Sequence, residues 1–560
     1  MKQIAQWKQV VNGLRRAAHP DVQLTGLKHC CELPLSDPAH LKTYHDTLLY
    51  LCAYPFNRQV FDLAEKELHR VADVLKLKQQ YFRWQFAMNG SGLPYTEHHC
   101  QYSAGMLKWL LEKFGGDVQP LAATNSNEIT KLLWQAMLPG IEFFDSTQGK
   151  PDLWSRVRKL SGHKQGEAAL HWILQLFKQQ LWNPVLKELL FDGLGIFINW
   201  KLNDPLFTRS FLRCPIHAVH YRKMKQKKLN SSSIVGEPLA KPLLLKEKER
   251  FTLIDLTRAS LALYYRETDP VTFADPAETS LYDMGNGLQI ALTGMQKEWK
   301  LTLESYIGFM AFKNGVPMAY GGGWIFGHRC KIGVNIYPPF RGAESDRLFC
   351  QVMRLYYQLF QARHFIVKPY QFGKGNPEGL RSAAFWFYYK LGFRPQHPAI
   401  KQTAFEEWMK ITRNKLYRTP VSVLKSFTRC NMQYEPVKTG AGNFDADEIS
   451  NAITTMVCSR FSGNREIAIA VCLEELIRFL ETDKIQQMDP VKQKAWHNWG
   501  LLFAVLPQTG GWSKMQRKKF LQILQLKISG SERAYIIALQ KHKSFWQSVR
   551  NLFANPVDGK

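Results

Sequence analysis

Three stretches of this 560-residue sequence hold residue types at spacings that could do chemistry. The first is Lys331-Ile332-Gly333-Val334-Asn335-Ile336-Tyr337, which reads as a strand and runs through Pro338-Pro339-Phe340-Arg341-Gly342-Ala343 into a helical pattern. A strand-to-helix turn built from small residues leaves backbone N–H groups at a helix start, a ready site for an anion. The second is Gly321-Gly322-Gly323-Trp324. Three glycines in or beside a strand mean either a kink or a close approach by a ligand or another backbone. No helix start follows them, so they do not form a nucleotide loop. The third is the polar, glycine-rich loop from Tyr370 to Gly379, where Gln371 and Lys374 could touch a ligand. Such loops line sites in α/β folds, although a plain connection is their commoner use. Glu97-His98-His99-Cys100 offers metal-ligand types, but adjacent residues on a helix point apart and no matching pair stands nearby, so no metal site is expected. Nucleophile-elbow, Walker and His-Glu-x-x-His patterns are absent.

The elements that must position these residues change in character along the chain. Residues 1–208 read as a helical domain, with His45 to Tyr54 ending at Pro55 and a second apolar-periodic run from Val60 to Leu68. Residues 209–250 read as a basic linker: Arg222, Lys223, Lys225, Lys227 and Lys228 precede Asn230-Ser231-Ser232-Ser233 and two prolines. Residues 251–420 alternate strands with helices. Leu288–Leu292, Tyr306–Phe312 and Met318–Tyr320 are β-type, and Lys313-Asn314-Gly315 signals a tight turn. A helix is expected from Ser345 to Ala362, a strand at His364–Val367 and a helix from Leu380 to Leu391. Hairpins followed by strand–helix–strand–helix argue α/β with a mixed sheet. Residues 440–560 return to helix, with Ile467, Val471, Leu473, Leu476 and Leu480 forming a buried stripe.

Composition narrows the class. Hydrophobic residues at 45% and charged residues at 22% exclude a disordered chain, a collagen repeat and a coiled-coil rod. A net charge of +27 suits acidic partners: RNA, an acidic carrier protein or a phosphate-rich cofactor. No apolar run is long enough to span a bilayer and no secretory signal opens the chain, so a cytoplasmic setting is expected. The ten cysteines form no Cys-x-x-Cys pair, which fits a reducing compartment.

The segment 304–395 resembles the GCN5-related N-acetyltransferase (GNAT) superfamily. The resemblance rests on three places: the strand Lys331–Tyr337, the turn Arg341-Gly342-Ala343, and Ala384-Phe385-Trp386-Phe387-Tyr388-Tyr389-Lys390-Leu391-Gly392-Phe393. It implies a splayed strand that pairs with a pantetheine arm, and a turn that holds the pyrophosphate of a coenzyme A thioester. The activity implied is acyl transfer from acyl-coenzyme A or an acyl carrier protein to an amine. On that pattern Asn335, Ile336 and Tyr337 hold the arm and polarise the thioester carbonyl, and Arg341, Gly342, Ala343 and Arg381 bind phosphate. Tyr388 is the general acid, with helix packing as the alternative explanation of its aromatic run. Glu304 and His328 are the candidate bases on the acceptor side. The sequence departs from the family where Glu344 replaces a loop glycine, where Asp346 follows it, and where Arg381 replaces an asparagine. Two further readings stay open: a transferase of this fold using aminoacyl-tRNA, and a non-catalytic interaction or RNA-binding protein.

Overall fold

The structure is a computed structural model that describes residues 10–11, 13–17, 19–124, 127–139, 141, 153–223, 230–437, 444–482 and 489–554. The first expected helices form as Pro38–Ala53 and Arg58–Lys78. Asp37 caps the first through Ala39 and His40 N–H, and Asn57 caps the second through Val60 N–H, so orphan donors at each start are satisfied. The reading of 1–208 as purely helical needs correction. Strands β1 (Glu97–Cys100), β2 (Val118–Ala123) and β3 (Ile196–Lys201) form an antiparallel sheet in the order β1-β3-β2. The reason lies in Ile196, Ile198 and Trp200, which are buried while Phe197 and Asn199 are less so, the period of a strand rather than a helix. Glu97-His98-His99-Cys100 is thus an edge strand: His98 points inward and stacks on Tyr265 at 4.1 Å.

The described residues of the segment 209–250 do not form a solvated linker. Cys214 N–H donates to Gly315 O (2.8 Å), Leu243 N–H to Leu281 O (2.8 Å), and His220 N–H to Asn314 Oδ1 (2.8 Å). The Ser231–Gly236 turn of helix lies on the helix Ser345–Phe360, where Arg354 Nε donates to Glu237 O at 3.0 Å. Apolar side chains between the charges, such as Cys214 and Val235, are buried and make the segment a strap. Lys225, Lys227 and Lys228 lie outside the described residues.

The expected mixed sheet is present with eight strands: β4 (Ala274–Asp283), β5 (Leu288–Met295), β6 (Ser305–Lys313), β7 (Val316–Phe326), β8 (Arg329–Ile336), β9 (His364–Val367), β10 (Arg394–Pro395) and β11 (Met432–Tyr434). Their order is β10-β11-β9-β8-β7-β6-β5-β4. Strands β4 to β8 form an antiparallel meander, and β9 joins β8 in parallel after the crossover helix Ser345–Phe360. Strands β5 and β6 are buried at every position, which is why they read as continuous apolar runs. The β6–β7 turn holds Asn314 and Gly315 at φ 47° and 77°, the positive pair a two-residue hairpin needs.

The glycine triplet sits inside β7, in register with β8 throughout, and serves packing. A Cβ at Gly321 would stand 2.1 Å from Gly333 O, and one at Gly323 would stand 2.5 Å from the Tyr356 ring. The helix expected over 380–391 is two, Pro377–Arg381 and Ala384–Lys390, separated by Ala383 at φ 50°. The break redirects the aromatic run so that Phe385, Trp386, Tyr388 and Tyr389 all bury. In the C-terminal part the helix Arg465–Leu480 buries Ala468, Cys472, Leu476 and Leu480, while Ile467 is exposed. Small residues face the neighbour here because Gly500 of the helix Pro490–Val505 meets the Cys472 carbonyl. This helical part docks on the sheet through Tyr535, whose hydroxyl donates to Leu303 O (2.7 Å).

Candidate functional site

The strand β8 and the loop after it form the candidate site. Pairing of β8 with β9 covers only Arg329↔His364, Cys330↔Phe365 and Lys331↔Ile366. The first of these two strands runs on to Ile336, whereas the second ends at Val367 and turns away through Pro369–Phe372. Tyr337 N–H donates to Met318 O at 2.9 Å, so by the alternation of an antiparallel ladder the backbone groups of Ile332, Val334 and Ile336 point away from β7. The Ile332 N–H is the last to be used by β9, through the Lys331↔Ile366 pairing, and no strand among the described residues pairs with Val334 or Ile336 on that side. Gln371 lies against this stretch: a Cβ at Gly333 would be 2.8 Å from its Nε2. Asn335 is exposed, Ile336 half-buried and Tyr337 buried. The Tyr337 hydroxyl is 3.0 Å from Ser260 Oγ and its ring stacks on Tyr264 at 3.8 Å, so this side chain anchors the strand end.

Pro338–Phe340 then makes one tight turn into the helix Ser345–Phe360. Arg341 is held by its neighbours: Nε donates to Ile336 O (3.2 Å) and the guanidinium pairs with Glu378. Gly342 has φ 81° with open space where a Cβ would be, so conformation, not room, selects glycine there. Ala343 N–H donates to Phe340 O (3.2 Å), closing the turn. The Glu344 carboxylate turns back over the sheet to Lys313 Nζ (3.0 Å), away from the helix start. Asp346 stays at that start, accepting from Arg347 N–H at 2.8 Å. Arg381 is exposed on the short helix that also carries Glu378. Asn376 caps that helix, accepting from Gly379 N–H (3.1 Å), and donates to Tyr370 O (3.1 Å).

The three expected catalytic side chains are not brought together at this turn. Tyr388 is buried edge-on to Phe349 (5.6 Å), Phe387 (5.1 Å) and Phe393 (5.9 Å), and burial pushes its phenol well above the usual 10. His328 stands in the β7–β8 turn, its Nδ1 2.9 Å from Gln361 O. From there to Ile336 is eight residues of strand, about 26 Å at 3.3 Å per residue. Glu304 precedes β6 at that same far end and pairs with Lys331 Nζ at 2.7 Å. Lys331 and Arg329 also share Asp445, at 3.2 and 2.5 Å, which makes a sutured ion network.

Sequence reasoning passed over a buried polar chain in the N-terminal part. His45 Nδ1 is 3.2 Å from Asp46 Oδ1, and His45 Nε2 is 3.0 Å from Ser210 Oγ. That is the hydrogen-bond order of an acyl-transfer triad. Ser210 and His45 are completely buried, however, and Asp46 is bound by Arg209 at 2.6 Å, so the chain is a structural joint closed to substrate. Ser210 lies 165 residues from His45, and no local spacing could have paired them. Among the described residues, no group of three or more His, Cys, Asp or Glu could hold a metal ion, and all ten cysteines are free. No helix of the described residues is long and apolar enough to cross a membrane.

Comparison with protein-family models, with curated proteins and with solved structures finds no match to this chain. Its class therefore rests on the architecture itself: a mixed α/β protein with an eight-stranded mixed sheet, a smaller three-stranded sheet in the N-terminal part and many helices.

Proposed function

We propose that the chain is a transferase of the GNAT kind, moving an acyl group from a thioester donor to an amine. The observation that carries this reading is the parting of β8 from β9 after Lys331↔Ile366, followed at once by the Arg341 turn and a helix start. The outward-facing backbone of Val334, beyond the last β9 pairing, suits the amide groups of a pantetheine arm. The helix start suits its diphosphate in that Glu344 is drawn off by Lys313, but the Asp346 carboxylate on Arg347 N–H has to give way to it. Arg341 and Arg381 supply charge there, Arg341 by exchanging Glu378 for the ligand. In the transfer the amine nitrogen attacks the thioester carbon, the C–S bond breaks, the amine proton leaves to water, and the thiolate takes a proton. Of the three residues expected on the arm, Ile336 is assigned to it through its outward N–H and Asn335 through its exposed side chain, whereas the Tyr337 backbone and ring are spent on Met318 and Tyr264. Tyr388 is assigned as proton donor to the thiolate. An acidic carrier protein or aminoacyl-tRNA is the alternative donor, and the net charge of +27 favours either.

The second reading is a binding protein without catalysis. The enclosure of Tyr388 among aromatic rings favours it, because a raised phenol gives up its proton less readily. The test is calorimetric titration of the full chain with coenzyme A and acetyl-coenzyme A, with Arg341→Glu as the control. Micromolar binding that disappears in the variant supports the transferase reading. Absence of heat at about 1 mM ligand removes coenzyme A as donor.

A further inference from the structure

A cavity of about 460 Å³ lies at the opposite end of β8 from the Arg341 turn. It falls between the β7–β8 turn and the last helix, Lys543–Ala554, and its size is that of a small-molecule site. Its walls carry two kinds of chemistry. Phe326, Phe444 and Trp546 are aromatic, with the Phe326 and Trp546 rings 5.2 Å apart and inclined at 59°. Lys543, Trp546 and Arg550 recur at the three- and four-residue spacing of one helix face, so the ring stands between two cations. No acidic side chain is among the described lining residues. Arg329 is balanced by Asp445, but neither Lys543 nor Arg550 has a carboxylate partner among the described residues.

Two buried polar atoms in the same wall are unpartnered. Gln540 donates both amide hydrogens, to Gly327 O (2.7 Å) and Phe360 O (2.8 Å), which fixes its orientation. Its Oε1 then has no partner, and neither has Arg329 Nε. Both atoms are shut off from solvent, and a buried polar atom without a partner among the described residues costs free energy. Aromatic walls beside two cations without carboxylate partners among the described residues, one of them (Arg550) held by Gln547 Oε1 at 2.8 Å, describe a site for a planar ring carrying a negative group.

We infer that this cavity binds a nucleoside monophosphate unit, either as a free nucleotide or as one residue of an RNA strand. The base lies against Trp546 and Phe326, and the phosphate sits on Lys543 and Arg550. This assignment does not depend on the transferase reading, whose site is about 26 Å away along the strand.

The probes are the four nucleoside 5′-monophosphates, adenosine, inorganic phosphate and a ten-nucleotide RNA, each titrated into the full chain at low salt. Binding of at least one monophosphate or of the RNA is expected below about 1 mM, with adenosine and inorganic phosphate each at least tenfold weaker. The double variant Lys543→Glu/Arg550→Glu, at two exposed positions, should lose at least tenfold while keeping the native melting curve. Trp546→Ala should lose a similar amount. A monophosphate that binds alone identifies the free nucleotide, and binding by RNA only identifies the polymer. The inference fails if no probe binds, if the double variant binds as well as the parent, or if inorganic phosphate matches the nucleotide.

Discussion

Glu344 adopts a left-handed conformation (φ 40°) before the helix Ser345–Phe360, and its carboxylate reaches a buried Lys313 that also donates to Asn286 O at 2.9 Å. Removing the carboxylate leaves an ammonium under protein with no counter-ion. Glu344→Gln should therefore cost about 2–3 kcal/mol in urea unfolding. A loss below about 0.5 kcal/mol would mean that Lys313 is hydrated, and that the turned-away carboxylate is no fixed feature of the turn. The buried histidines set a pH dependence at the same scale. Burial pushes His45 and His98 down to about 4, so each stays neutral in the folded chain while it takes a proton near 6.5 when unfolded. The unfolded state binds more protons between these values, so stability is full above about 6.5 and falls as pH drops towards 4. Each histidine contributes up to about 1.4 kcal/mol per pH unit in that window. His98→Gln should flatten the curve between pH 6.5 and 4.5, and an unchanged slope would show that His98 is protonated in the folded state.

At the scale of elements, β7 shows what a glycine run does inside a sheet. A methyl at Gly321 meets backbone and one at Gly323 meets a ring and Cys330 Sγ, whereas Gly510 has nothing within 4 Å. Gly321→Ala and Gly323→Ala should each lower stability by about 2–3 kcal/mol, and Gly510→Ala should change it by less than about 0.5 kcal/mol in thermal melts. Equal, small effects at all three would return the triplet to the ligand-approach reading. The meander was legible because Leu288–Leu292 and Tyr306–Phe312 are apolar runs punctuated by Asn314-Gly315, a local signal for a local turn. The helix Ser345–Phe360 was legible from its periodic leucines. Strands β1 to β3 were not, because Glu97 and Val118 pair with residues about a hundred positions later and carry no periodicity long enough to reveal them. Of the candidate site, the turn from β8 into the helix could be read as a contiguous stretch. The placing of His328 and Glu304 at the far end could not, since strand direction within the sheet decides it.

At the scale of the whole molecule, one buried ion pair joins the C-terminal helices to the sheet. Lys527 Nζ lies 3.0 Å from Glu532 Oε2 and donates to Glu304 O at 2.9 Å, while Glu532 N–H donates to Glu278 Oε1 at 3.1 Å and its carboxylate accepts from Ser305 Oγ. Lys527→Met alone should cost about 3–5 kcal/mol because it strands a buried carboxylate, and Lys527→Met/Glu532→Leu should recover most of that loss. Additive losses in that cycle would show the two side chains to be independent. Hydrogen exchange adds a second measure: if the joint unites the parts, protection of β6 and of the helix Glu532–Lys541 should fall together in the single variant.

Asn314, at the tip of the β6–β7 hairpin, donates to the carbonyls of Ala53 and His220 at 3.0 and 2.9 Å and accepts from His220 N–H. Both sockets precede the plug in the chain. During synthesis from the N-terminus, the helix that ends at Ala53 and the strap that carries His220 have already left the ribosome when the hairpin is made. The turn therefore closes onto waiting acceptors, and the central sheet is gripped by earlier segments before its last four strands exist.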